Sequence, residues 1–157
     1  MKSIYDWLDA YAESHQNPTN KKIHWVCVPL IMLTLLGSLA MIKFSLPFNG
    51  NYSINLSYML IVMALFFYIR LSLSITFGML LISVITLFFI NELEFLFPNN
   101  MHLLYLYISI FVLSWIGQFI GHKIEGKKPS FFEDIQFLLI GPAWLLSFIY
   151  KKLGIKY

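Results

Sequence analysis

Trp115-Ile116-Gly117-Gln118-Phe119-Ile120-Gly121-His122-Lys123-Ile124-Glu125 closes an apolar run that starts at Met101. From Met101 to Ile120 there is no Asp, Glu, Lys or Arg. Twenty helical residues at about 1.5 Å each span roughly 30 Å, the thickness of a bilayer's hydrocarbon core. The reading is therefore a membrane helix with polar groups at its end. Gln118 and His122 are four apart and His122 and Glu125 three apart, so one helical face carries an amide, an imidazole and a carboxylate. Such groups usually anchor a helix at the interface or satisfy packing, but this set also has metal-ligand chemistry.

The composition agrees with a bilayer as solvent. Hydrophobic residues make up 59% of the 157, charged residues 12%, and the mean hydropathy is +0.72. Soluble chains average about 45–50% apolar and about 25% charged, and a small soluble fold cannot bury so much apolar surface. The expectation is an all-α helix bundle, residues 1–157 forming a single integral membrane domain in contact with membrane lipids. The lone Cys27 excludes an internal disulfide, and no basic patch interleaved with aromatics points to nucleic acid. The charged N-terminus lacks an apolar core with a small-residue cleavage site, so no signal peptide is expected.

Along the chain, residues 3 to 14 place Ile4, Leu8 and Tyr11 on one face and Asp6, Asp9 and Glu13 on the other. That is an amphipathic helix, either lying at the membrane interface or packing on the protein. Asn17 and Pro18 break it, and Thr19 or Asn20 is placed to cap the next helix. Spans are expected over Trp25 to Leu46, Leu56 to Ile69, Leu71 to Ile90 and Met101 to Ile120. Turn-rich loops should cover Leu46 to Asn55 and Asn91 to Asn100. Pro29 falls near the start of the first span. Ile135 to Tyr150 is short for a crossing, and Gly141-Pro142 should break or kink it, giving a re-entrant or kinked helical hairpin. Four crossings with a cytoplasmic N-terminus put ten of the eleven Lys and Arg residues on the cytoplasmic side and leave Lys43 on the other. This fits the positive-inside tendency.

This topology sorts the histidines. His15, His24 and His122 share the cytoplasmic end, whereas His102 lies roughly 30 Å away along its helix. On one continuous helix, nine residues would set His15 and His24 on opposite faces, but a turn at Asn17-Pro18 lets them meet. Imidazoles are common ligands of iron, zinc and copper. No G-x-S-x-G elbow, dense H-x-x-H-H cluster or Gly-rich phosphate loop occurs. Residue chemistry leaves three functions open. They are a metal-dependent oxidoreductase, a zinc-dependent membrane lipid hydrolase on the same ligands, and a non-enzymatic scaffold or transport subunit. The spans hold almost no ionisable groups at mid-depth, which counts against transport.

Two separated motifs carry a resemblance. The first is His15-Gln16-Asn17-Pro18-Thr19-Asn20-Lys21-Lys22-Ile23-His24, followed by Val28-Pro29. The second runs from Trp115 through His122 to Glu125 and Lys127-Lys128-Pro129, with Gly141-Pro142 beyond. They resemble the signatures of the Mpo-type 2-hydroxy fatty acid dioxygenase family, formerly a family of unknown function, over about Tyr5 to Gly154. The resemblance implies an iron(II)-dependent membrane enzyme that shortens long-chain 2-hydroxy fatty acids by one carbon, using O₂ and releasing CO₂. It implies Fe(2+) as cofactor, held by His15, His24 and His122; Glu125 is expected to join the catalytic group, with Glu125 or Gln118 as a further ligand or as support behind the ligands. Gln118, Lys127 and Lys128 are the expected substrate contacts. The membrane is expected to be a bacterial inner membrane or the endoplasmic reticulum, with the site on the cytoplasmic side.

Overall fold

The computed structural model describes residues 2–45, 53–129 and 136–157. Among them are six helices and one two-stranded ladder. These are α1 (Ile4–Glu13), α2 (Pro18–Ala40), β1 (Lys43–Ser45), β2 (Ser53–Asn55), α3 (Leu56–Ile69), α4 (Leu73–Leu96), α5 (Asn100–Glu125) and α6 (Phe137–Leu153). Three helices, α2, α4 and α5, are long and apolar enough to cross a membrane, and α3 is an apolar helix of 14 residues. Phe77, Leu81, Phe88 and Leu113 are each at least 60% exposed, a surface that fits a lipid surround.

Caps set the helix limits. Ser3 and Asp6 form a reciprocal capping box at the start of α1, which stabilises such a terminus by about 1 kcal/mol. The cap of α2 is Asn17, not Thr19 or Asn20, because its side-chain oxygen accepts from both of their backbone N–H groups. Pro18 takes the first helical position, where its missing N–H costs nothing. So α2 begins seven residues before Trp25 and ends at Ala40, which leaves Pro29 well inside it. The expected Leu46 to Asn55 loop is replaced at its end by β2, paired antiparallel with β1 through Lys43↔Asn55. Its residues 46–52 lie outside the described residues. The expected break at Asn91 is absent: α4 runs on through Glu92 and Glu94 to Leu96. There Glu94 meets Lys43 at 3.1 Å. Likewise α5 continues past Ile120 and stops where Gly126 takes φ 74, a left-handed conformation that favours glycine.

The helix α6 is continuous through Gly141-Pro142 rather than broken there. Residues 130–135, which lead into it and include the expected start at Ile135, are outside the described residues. Its two ends are tied to one turn of the bundle. Tyr68 donates to the Leu139 carbonyl at 2.6 Å, and Tyr150 donates to the Ser74 carbonyl at 2.7 Å. Because Tyr68 and Ser74 flank the short α3–α4 connection, α6 stays at that end of the bundle. The apolar face of α1 turns onto α6 rather than outwards. Trp7 packs on Phe137 at 5.2 Å and Tyr11 on Trp144 at 5.3 Å between ring centroids. Of the two readings for this helix, packing on the protein accounts for its buried face.

The most extensive contact is between α2 and α5, and small residues let them close. A Cβ on Gly121 would lie 2.3 Å from Asn20 Oδ1, and one on Gly117 would lie 2.8 Å from Cys27 Sγ. At the other end, a Cβ on Gly37 would meet the Tyr107 ring at 2.5 Å. This is the small-xxx-small logic of membrane helix pairs.

Candidate metal centre

Each of the three histidines arrives by a different local device. His15 lies just past α1, in the connection to α2. His24 sits in the second turn of α2, and His122 in the last turns of α5. The turn at Asn17-Pro18 brings His15 back over His24. Ring centroids are 4.3 Å apart for His15–His24, 4.9 Å for His15–His122 and 5.0 Å for His24–His122. The three rings are buried, at 0%, 0% and 4% exposure.

The unsatisfied atoms mark what this cluster lacks. His15 Nε2, His24 Nε2 and His122 Nδ1 are buried without a hydrogen-bond partner, a state that costs about 1–3 kcal/mol per group. Their ligand atoms all lie within 4.8 Å of one another. A point within about 2.8 Å of all three exists at that spacing, so a contraction of at most roughly 0.7 Å per ligand reaches an ordinary metal–nitrogen bond. The opposite nitrogens of His15 and His24 are already engaged. His15 Nδ1 lies 2.7 Å from the Tyr11 carbonyl and 3.1 Å from Ser14 Oγ, and His24 Nδ1 lies 3.0 Å from the Asn20 carbonyl. A carbonyl accepts from Nδ1–H, which leaves the Nε2 lone pair facing the cluster; this is the support expected behind a metal-bound histidine. Burial, and then the neighbouring His24, hold the His15 imidazole down at about 3, so it is neutral at neutral pH. Tyr11 stacks on its face at 4.1 Å with 9° between planes. The residues fit a divalent transition metal.

The other expected site residues divide. Gln118 is buried and close to the His24 ring, although no hydrogen bond reaches that ring's Nε2. Glu125 is outside the convergent set. Its Oε1 accepts from Gln16 N–H at 2.7 Å, and its Oε2 accepts from Asn17 N–H at 2.8 Å and Asn20 Nδ2 at 3.1 Å. Lys127 donates to the Glu13 carbonyl at 3.0 Å, and Lys128 is exposed. His102 is exposed at the far end of α5.

A cavity of about 470 Å³ opens from this cluster into the bundle. His122, Gln118 and Tyr11 line its polar end, and Leu36, Ile61, Met79 and Phe111 are among its apolar walls. Among the described lining residues there is no Lys or Arg. Sequence reasoning missed Tyr11 as a wall of the site, because in sequence it is one more apolar position of an amphipathic helix.

The chain matches the family described as 2-hydroxy-palmitic acid dioxygenase Mpo1-like over residues 1–153. It belongs to the Mpo1-like family. A curated relative, the 2-hydroxy-palmitic acid dioxygenase MPO1 of Saccharomyces cerevisiae, is 28% identical over 151 residues, covering 94% of this chain and 79% of the yeast protein. No solved structure matches. In this Mpo1-like chain the two motifs that carry the likeness supply all three clustered histidines.

Proposed function

We propose that this chain is an iron(II)-dependent dioxygenase of the membrane that removes one carbon from long-chain 2-hydroxy fatty acids. The observation that carries the reading is the trio of orphaned nitrogens on His15, His24 and His122, the last of which lines an apolar cavity. Family membership and the name of the yeast relative support the substrate class. The balance needs no further reductant: a 2-hydroxy acid and O₂ give the acid one carbon shorter, CO₂ and water. The substrate supplies all four electrons. Bound iron(II) would supply open coordination positions at which the 2-hydroxy acid and O₂ meet.

The protein's own part follows from its placement. His15, His24 and His122 hold the metal, with the first two fixed in tautomer by the Tyr11 and Asn20 carbonyls. Gln118 stands where an amide can hydrogen-bond the hydroxy-acid head. The acyl tail lies in the cavity, whose lining on α5 runs from His122 to Phe111. Eleven residues at about 1.5 Å give roughly 16 Å, close to the depth of one leaflet. There is no Lys or Arg among the described cavity walls, and a metal held by the three histidines would supply positive charge for the carboxylate. Towards the substrate, Lys127 and Lys128 act on approach, from the headgroup level. The polar end is read as cytoplasmic from the placement of Lys and Arg.

The test is anaerobic purification in detergent, metal analysis, and O₂ uptake with 2-hydroxypalmitate. Stoichiometric iron and one O₂ consumed per acid shortened are expected. Bound zinc with no O₂ uptake overturns the reading in favour of a hydrolase, and no bound metal favours a scaffold.

A further inference from the structure

The geometry points to Glu125 as the positioning residue that assembles the histidine cluster by clamping the α1–α2 turn onto the end of α5, without ligating the metal. This rests on the proposed metal site and adds what holds it together. Two of the three histidines flank a turn. His15 is tied to the end of α1 through the Ala12 and Tyr11 carbonyls, and His122 belongs to a separate element, α5. The cluster exists only if that turn is held against α5.

Glu125 provides the hold. Both of its oxygens face the turn, taking the N–H groups of Gln16 and Asn17 and the Asn20 amide. Asn20 Nδ2 also donates to the Ser14 carbonyl at 3.2 Å, so one carboxylate reaches the residues on both sides of His15. These are charge-assisted bonds, roughly twice as strong as neutral ones. They also set a negative group at the N-terminus of α2, where the helix dipole favours it. Gly121, one turn earlier on α5, makes room for Asn20 at a distance where a Cβ would sit 2.3 Å from its oxygen. Lys127 adds a tie to the Glu13 carbonyl. One stretch of α5 therefore carries a ligand, a gap and a clamp at positions 122, 121 and 125.

The experiment compares wild-type, Glu125→Ala and Glu125→Gln as full chains in detergent. Amide exchange at Gln16 and Asn17 is measured without metal, then affinity for Co²⁺ and the visible spectrum of bound Co²⁺. Clamping predicts faster exchange in Glu125→Ala, a loss of affinity of about 10–100-fold and band positions unchanged from wild type. Glu125→Gln keeps one acceptor oxygen and falls between; it decides the matter if the alanine variant does not fold. Unchanged exchange or unchanged affinity overturns the clamp. Shifted bands overturn it in favour of a ligating carboxylate. Wild-type protein that takes up no Co²⁺ overturns the metal reading itself, and that failure is visible before any variant is made.

Discussion

A single imidazole nitrogen distinguishes His122 from His102. The former ends at a buried atom with no partner, the latter at an exposed surface. His122→Ala is expected to abolish stoichiometric metal binding and O₂ uptake, and His102→Ala to leave both near wild type, as checked by metal analysis of the purified variants. Protonation of His15 gives a second test. Its folded value of about 3 lies below the ordinary 6.5, so between those two values the unfolded chain binds more protons than the native one. Stability of the metal-free protein should therefore rise with pH across that window and fall as pH drops towards 3. Denaturant titrations from pH 7 down to pH 4 read the slope directly. The grouping of His15, His24 and His122 was legible in sequence because helix rise and charge placement put those three, and not His102, at one end of the bundle. Tyr11 was not, because an aromatic on an amphipathic helix looks the same whether its face meets lipid, α6 or an imidazole.

Helix pairing decides whether those residues meet. Gly121→Ala forces a Cβ against Asn20 Oδ1, and Gly37→Ala forces one against the Tyr107 ring. Each overpacks a closed interface, at a cost of about 1–3 kcal/mol. The two should differ in reach. Gly121→Ala disturbs the Asn20 side chain that ties Glu125 to Ser14 and should weaken metal binding as well as lower the melting temperature. Gly37 lies thirteen residues beyond His24 on α2, roughly 20 Å along the axis, so its variant should melt earlier while metal affinity holds. Thermal melting and Co²⁺ titration of the same samples separate these outcomes. At α6, Tyr68→Phe removes the donor to the Leu139 carbonyl and should destabilise by about 1–3 kcal/mol if that carbonyl finds no water. The helices themselves were plain in sequence, since long apolar runs have one solution in a bilayer. Their ends were not: α4 and α5 each ran five or six residues beyond their apolar runs, because polar residues continue a helix as readily as apolar ones until a cap intervenes.

At the scale of the molecule, the proposed function makes the cavity the determinant of chain length. Ser83 lines it well inside α4, so Ser83→Phe should shorten the longest 2-hydroxy acid accepted while leaving metal content unchanged. Product analysis across a series of chain lengths tests this. The bundle, its lipid-facing surface and the separation of His102 from the other histidines followed from composition, run length and the rise of a helix. All of these are local properties of the chain in an apolar solvent. Convergence of the three nitrogens, the cavity beneath them and the placement of Glu125 on the α1–α2 turn did not follow. Each depends on how closely α2 and α5 approach and where α6 comes to rest. Spacing along one helix placed Glu125 on the face of His122, but that face meets both the cluster and the turn. Only the packed structure assigns the carboxylate to the N–H groups of Gln16 and Asn17, because those donors come within reach of Glu125 only once the turn lies against the end of α5.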